Sequence, residues 1–171
     1  MWHNIIRIQR FLIGLIACSA VTTLIAVPAA AAPSPYPDIA NYEGVGGLQK
    51  FTVVDRDGLW FASPIGQRCG IGDDGSYGCS GPIPGMQQGE NEIAWLPGDP
   101  GPRVYRADKP RFDSGTRQQI ITVKHRMTYR GSTCAVTVVG TVYCIHGENA
   151  DSQLMLTAKA AYVGSQASPV G

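Results

Sequence analysis

No two cysteines in this chain stand in C-x-x-C spacing, no serine sits in G-x-S-x-G, and no apolar run reaches the roughly 20 residues of a bilayer span. The first absence argues against a locally chelated zinc ion and against a dithiol redox centre. The second removes the usual signature of an exposed serine nucleophile. The third argues against a membrane-spanning domain: the longest uncharged stretch, Phe11 to Val27, has 17 residues and is diluted by Ser19, Thr22 and Thr23. An excess of charge is lacking too. From Ala32 onward there are 12 basic and 13 acidic residues, a net charge of −1, and the basic residues show no aromatic interleaving. That balance excludes nucleic acid as the expected partner. Asp55-x-Asp57-Gly58 and Asp73-Asp74-Gly75 lack the other ligands of an EF-hand. Turn chemistry accounts for both, so no metal and no cofactor is expected.

What is present begins with a leader. Arg7 and Arg10 precede the apolar stretch with no acid beside them, and Pro28 and the run Ala29 to Ala32 close it. A positive start, an apolar middle and a small-residue end describe a secretory signal peptide. Cleavage is placed near Ala31, because proline directly after the cut disfavours cutting at Ala32. The alternative is a lipoprotein box, Leu15-Ile16-Ala17-Cys18, although the segment stays apolar past Cys18 where lipoproteins turn polar. The segments expected are residues 1–31 as signal peptide, 32–45 as a flexible Pro-rich lead-in, 46–165 as a single β domain and 166–171 as a disordered tail.

Four cysteines remain after the leader: Cys69, Cys79, Cys134 and Cys144. An even number in an exported chain implies disulfides. Each pair lies in the same frame, G-x-x-C-x-[IV]-x-x-x-G-x-x-x-C, with Gly66, Ile71 and Gly75 in one copy and Gly131, Val136 and Gly140 in the other. Gly-Glu-Asn follows each, at Gly89 and at Gly147, with seven extra residues in the first copy. This is an internal duplication or one hairpin solution used twice. A three-residue hairpin loop commonly ends on a left-handed glycine. Loops at Asp73-Asp74-Gly75 and Val138-Val139-Gly140 make Cys69 face Cys79, Cys134 face Cys144 and Thr137 face Thr141. Directly opposed residues lie within disulfide reach, so the expected bonds are Cys69–Cys79 and Cys134–Cys144, their faces sharing one core.

Around the hairpins, 21 glycines and 12 prolines leave little room for helix. Strands are expected at Phe51–Val54, Leu59–Ala62, Glu92–Leu96, Val104–Arg106, Ile120–His125, Met127–Tyr129 and Leu154–Thr157, and one helical turn at Ala158–Tyr162. Pro97 to Pro102 is a break. Gly70, Gly72 and Gly78 share one face of the first hairpin and are expected to admit another backbone. The fold class is all-β, a small antiparallel sandwich or partly open barrel built around two disulfide-linked hairpins, with little helix beyond the signal peptide.

Charge is unevenly spread. Ala32 to Pro102 holds three basic and nine acidic residues, whereas Arg103 to Arg130 holds eight basic and two acidic. In a domain this small the two stretches are expected to lie together and neutralise. The alternative is a basic patch for an anionic partner such as a lipid head group or an acidic glycan.

Three features are candidates for function. His146, with Glu148 able to orient it, could serve as a general base; His125 is the other histidine after the leader, and Ser114 and Ser132 read as ordinary loop serines. Trp60, Trp95, Tyr105 and Tyr129 could form a sugar-stacking surface, although strand aromatics are more often core. The insertion Gly81 to Met86 has an apolar tip, Pro82, Ile83, Pro84 and Met86, and is the first choice for a contact surface.

The stretch Phe61 to Trp95 resembles a group of small exported proteins of actinobacteria, mycobacteria especially. The shared features are [ST]-P-x-G-x-x-C, here Ser63-Pro64-Ile65-Gly66 and Cys69, and a later C-x₉-C hairpin followed by a glycine and a short apolar strand. In this chain those are Cys134, Cys144, Gly147 and Leu154 to Leu156. The resemblance implies export and disulfides and implies no activity. Many members carry Gly-His-Gly where this chain has His146-Gly147-Glu148-Asn149.

The sequence therefore points to a secreted or envelope-located, disulfide-stabilised, non-enzymatic domain that contacts envelope protein, glycan or lipid. The alternatives are an envelope hydrolase centred on His146 and Glu148, and an inhibitor-like module presenting a disulfide-braced loop.

Overall fold

A computed structural model describes residues 34–171. The signal peptide, its cleavage near Ala31 and the lipoprotein alternative at Cys18 lie outside the described residues. Among the described residues thirteen strands form two open sheets. The chain enters through β1 (Glu43–Gly44) and a 3₁₀ turn, Leu48–Phe51. It then runs as a meander, β2 (Leu59–Ala62), β3 (Arg68–Ile71), β4 (Tyr77–Ser80), β5 (Glu92–Trp95) and β6 (Arg103–Tyr105). After β7 (Gln119–Ile120) comes a second meander: β8 (His125–Tyr129), β9 (Ser132–Val136), β10 (Val142–His146), β11 (Leu154–Leu156), β12 (Ala161–Val163) and β13 (Ser168–Pro169). The sheet orders are β6-β5-β4-β3-β2-β7 and β1-β8-β9-β10-β11-β12-β13. Two pairings are parallel, β1 with β8 and β7 with β2.

Both hairpins form as their sequences direct. Gly75 and Gly140 take φ of 84° and 77°, the left-handed region that glycine enters at no steric cost. In the first loop the Gly72 N–H donates to the Ser76 carbonyl at 2.8 Å and the Gly75 N–H to that of Gly72 at 3.0 Å. The second loop repeats this from Thr137 to Thr141 at 2.9 Å and from Gly140 to Thr137 at 3.0 Å. The registers place Cys69 opposite Cys79 and Cys134 opposite Cys144. Both disulfides are formed, with Cα separations of 4.0 and 4.1 Å. All four cysteines are fully buried in one core with Phe61, Ile71, Tyr77, Ile93, Met127 and Leu154. Thr137 does face Thr141, but its hydroxyl has no hydrogen-bond partner among the described residues.

The outer face of the six-stranded sheet is covered by the chain between β6 and β7. A Cβ on Gly78 would come within 2.6 Å of the Phe112 ring, and one on Gly70 within 2.8 Å of the Trp60 ring. Over Gly70 and Gly78 aromatic rings therefore fill the space that the glycine face was expected to offer to a passing backbone, and over Gly72 the Ser76 and Asp74 side chains do; Trp60, Ala94 and Phe112 make a second small core there. Arg56 lies over the Trp60 ring, 4.2 Å from its centroid, and donates to the Arg111 carbonyl. Glu92 is fully buried on the same face and accepts from Arg111 Nε at 2.6 Å, from the Arg111 N–H and from Ser80 Oγ.

Several local expectations are corrected. Phe51–Val54 is not a strand: no partner strand lies beside it, Phe51 turns inward at the end of the 3₁₀ turn, and Val53 makes a lone bridge to Arg56. The expected run Ile120–His125 is divided between the sheets, with Ile121 buried and Lys124 left-handed at φ 59°. Ala158–Tyr162 is not helical. Thr157 Oγ1 accepts from the Lys159 and Ala160 N–H groups, closing a turn into β12. The described part of the lead-in is docked: Tyr36 packs on Tyr143 with centroids 5.6 Å apart, donates to the Gly164 carbonyl, and is followed by β1. At the C-terminal end β13 pairs with β12 and Val170 packs on the core.

Three ion pairs join the basic stretch to the acidic one, Arg103–Asp99, Arg111–Glu92 and Arg130–Asp73. The two stretches meet at these pairs, which leave other charges of both stretches without an ion-pair partner among the described residues.

Candidate functional site

The two ends of the sandwich are chemically different, and hairpin geometry builds both. At one end the first hairpin loop meets the base of the second hairpin. His146, the last residue of β10, stacks on Trp95 with centroids 4.5 Å apart. Its ring is wedged between two glycines of the repeated frame: a Cβ on Gly131 would lie 3.0 Å from His146 Cε1, and one on Gly75 3.4 Å away. His146 Nδ1 is 2.9 Å from Ser132 Oγ, and that hydroxyl donates to the Gly75 carbonyl at 2.5 Å.

A hydroxyl has one proton to give. With that proton committed to Gly75, Ser132 accepts from His146, so the network assigns the hydrogen to Nδ1. The polarity is opposite to that of a base activating a nucleophile, and Ser132 is fully buried. Glu148 is exposed, and among the described residues no hydrogen bond or ion pair joins it to His146. His146 ties the loop of one hairpin to the base of the other. Beside it, the hydrogen bond from Tyr129, followed by the bonds and charge of Arg130, holds the Asp73 carboxyl below the usual 3.8. His125 is remote from this cluster, with Nε2 3.4 Å from Glu43 Oε2.

The aromatics do not gather into one platform. Trp95 belongs to the main core, Trp60 to the small core on the opposite face of its sheet, and Tyr105 and Tyr129 pack against different clusters. Nor does the Gly81–Met86 insertion present its apolar tip. Ile83 is buried and Met86 packs on the core, Pro84 is half-buried, and Pro82 is exposed. The loop plugs the end of the core, which is where its apolar side chains gain most by leaving water. On the outer face of the seven-stranded sheet, the lead-in roofs a groove of about 530 Å³ between Ile39, Arg126, Tyr143 and Glu148. No group of three or more His, Cys, Asp or Glu residues that could hold a metal ion occurs among the described residues.

At the other end lies a surface the sequence reading passed over. Val138 and Val139, the first two loop residues of the second hairpin, are 61% and 79% exposed. Exposed Ile120 and Val123 lie at the same end, where β7 stops and β8 starts. The signal was present in the repeat: the matching loop positions of the first hairpin hold Asp73 and Asp74, ordinary turn residues.

No family model matches the chain, and neither a curated protein nor a solved structure matches it.

Proposed function

We propose that this chain is an exported, non-enzymatic binding domain of the actinobacterial cell envelope, braced by its two disulfides. The observation that carries the reading is the burial of both disulfides in the single core between the sheets. Bonds placed there are part of the fold, and they form and persist in an oxidising compartment. Among the described residues no helix is long and apolar enough to cross a membrane. The leader pattern and the resemblance to small exported actinobacterial proteins support the same compartment. Non-enzymatic action is supported by the commitment of the Ser132 proton to Gly75 and by the separation of Glu148 from His146. The contact surface is assigned to the Val138–Val139 end, because the insertion has turned its apolar residues inward.

The full chain, produced with its leader in an actinobacterial host, tests this. It is expected in the envelope or medium, starting near Ala32 by intact mass, with no cysteine alkylated until a reductant is added. A cytosolic product with free thiols overturns the reading. A diacylglyceryl adduct on Cys18 instead identifies the lipoprotein route to the same compartment.

A further inference from the structure

The two hairpin loops share spacing and hydrogen bonds but differ in chemistry. Where the first has Asp73-Asp74, the second presents Val138-Val139 to solvent. Valine supplies no turn chemistry, and its exposure forgoes the gain of burial. These valines have apolar company. A Cβ on Gly140 would lie 3.4 Å from the exposed Pro64. Ile120, 58% exposed, pairs with Ala62 just before that proline. Val123, 44% exposed, precedes Lys124, whose N–H donates to the Val136 carbonyl next to the loop. Three separate connections thus bring apolar side chains to one end of the sandwich.

Cations rim this end. Lys50 lines a hollow with Ile120 and Thr122, Arg117 and Arg68 line another with Gly66, and Lys124 adjoins Val123. Two acids share this end, Asp113 paired with Arg68 at 3.5 Å and Glu43 with His125 at 3.4 Å, but among the described residues Lys50, Arg117 and Lys124 have no acidic ion-pair partner. The far end is acidic. Asp55, Asp57, Asp74, Glu148 and Asp151 lie in connections at the first hairpin's tip or the second hairpin's base, and none has an ion-pair partner among the described residues. The charge separation therefore runs along the strands, with the apolar tip at its positive pole.

We propose that the Val138–Val139 tip, with Pro64, Ile120 and Val123, seats in the interfacial region of an anionic lipid bilayer while Lys50, Arg117 and Lys124 meet its phosphates. Apolar side chains below the head groups and cations level with them is the arrangement such surfaces select. An apolar groove on a protein would accept the valines but would give no reason for the unpaired cations or for an acidic pole facing away. The proposal rests on the exported binding domain proposed above and names the partner of its contact end.

The unit Pro33–Gly171 holds the whole described core and both disulfides, so it is the protein to test, in oxidised form. Its co-sedimentation is measured with vesicles of equal parts phosphatidylglycerol and phosphatidylcholine, and with phosphatidylcholine alone. Binding is expected to the anionic vesicles and to fall as salt is added. The double variant Val138→Asp with Val139→Asp writes the first loop's own residues into the second, a geometry that accepts them. It is expected to bind anionic vesicles about tenfold more weakly while its circular dichroism and melting stay those of the parent. Lys124→Glu, which leaves the valines in place, is expected to lose about fivefold on anionic vesicles alone. Equal recovery on both vesicle types, or an Asp-Asp variant that binds as the parent does, overturns the proposal and leaves the tip to a protein groove. Envelope fractionation of the intact chain is independent of that result, so the compartment reading survives a failure here.

Discussion

A Cβ added to Gly78 would lie 2.4 Å from the Ile93 carbonyl oxygen and 2.7 Å from the Ala94 Cβ, besides striking Phe112. None of these atoms can retreat cheaply, since the oxygen belongs to the neighbouring strand and Phe112 closes the small core. Gly66 is the contrasting case. Its φ of 99° is in the left-handed half of the map, but a Cβ there would meet nothing within 4 Å. Gly66→Ala therefore carries backbone strain alone, about 1–2 kcal/mol. Gly78→Ala carries overpacking in a filled space, about 3 kcal/mol. Urea unfolding of the two variants checks this order, and a Gly66 variant less stable than the Gly78 variant would contradict the packing described. Glu92 shows the same economy of space with charge: its carboxylate is fully enclosed, and Arg111 and Ser80 bond it from the segment that covers the sheet and from the adjacent strand. The residues that matter most at this scale are those between the first sheet and its cover.

Each disulfide cross-links neighbouring strands near the middle of its sheet, β3 to β4 and β9 to β10, and each spans a sequence separation of 10. Equal loops restrain the unfolded chain equally, by just under about 3 kcal/mol each. Replacing Cys69 and Cys79 by alanine, or Cys134 and Cys144, is expected to lower urea stability by about 2–3 kcal/mol in either case. A loss below about 1 kcal/mol in one hairpin would show that its loop and register already restrain the denatured chain without the bond. The hairpins were legible in the sequence for this same reason: a three-residue loop ending on Gly75 or Gly140 fixes register within a dozen residues. Phe51–Val54, the division of β7 from β8, and β12 were not legible, because each is decided by whether a strand distant in sequence lies alongside. The contact end was legible only in part. Spacing placed Val138 and Val139 in a loop, but their significance depends on Pro64, Ile120 and Val123 arriving from other connections. Ile83 shows the reverse: an apolar residue in a surface insertion looks the same in sequence whether it faces water or plugs a core.

Across the whole molecule the repeat is reciprocal. The tip of the first hairpin touches the turn that opens the second, where a Cβ on Gly75 would lie 2.7 Å from the Arg130 carbonyl, and the tip of the second touches Pro64 in the turn that opens the first. The short strands ahead of each meander are exchanged as well, β1 joining β8 and β7 joining β2 in parallel. Each half thus supplies an edge strand to the other's sheet and one face of the shared core. Neither half can bury its cysteine face alone, since the other sheet is what covers it. Cleavage of the unit Pro33–Gly171 between the exposed Thr116 and Arg117 gives fragments 33–116 and 117–171, each retaining its own disulfide. Each fragment alone is expected to show no cooperative melting, and an equimolar mixture is expected to regain the sheet signal in far-ultraviolet circular dichroism and the fixed environments of Trp60 and Trp95 in the near ultraviolet. Because the cross-links survive the cut, a failure to fold singly cannot be assigned to their loss. A fragment that melts cooperatively by itself would show that the duplicated unit is a domain in its own right, and that the exchange of β1 and β7 adds to a core already closed.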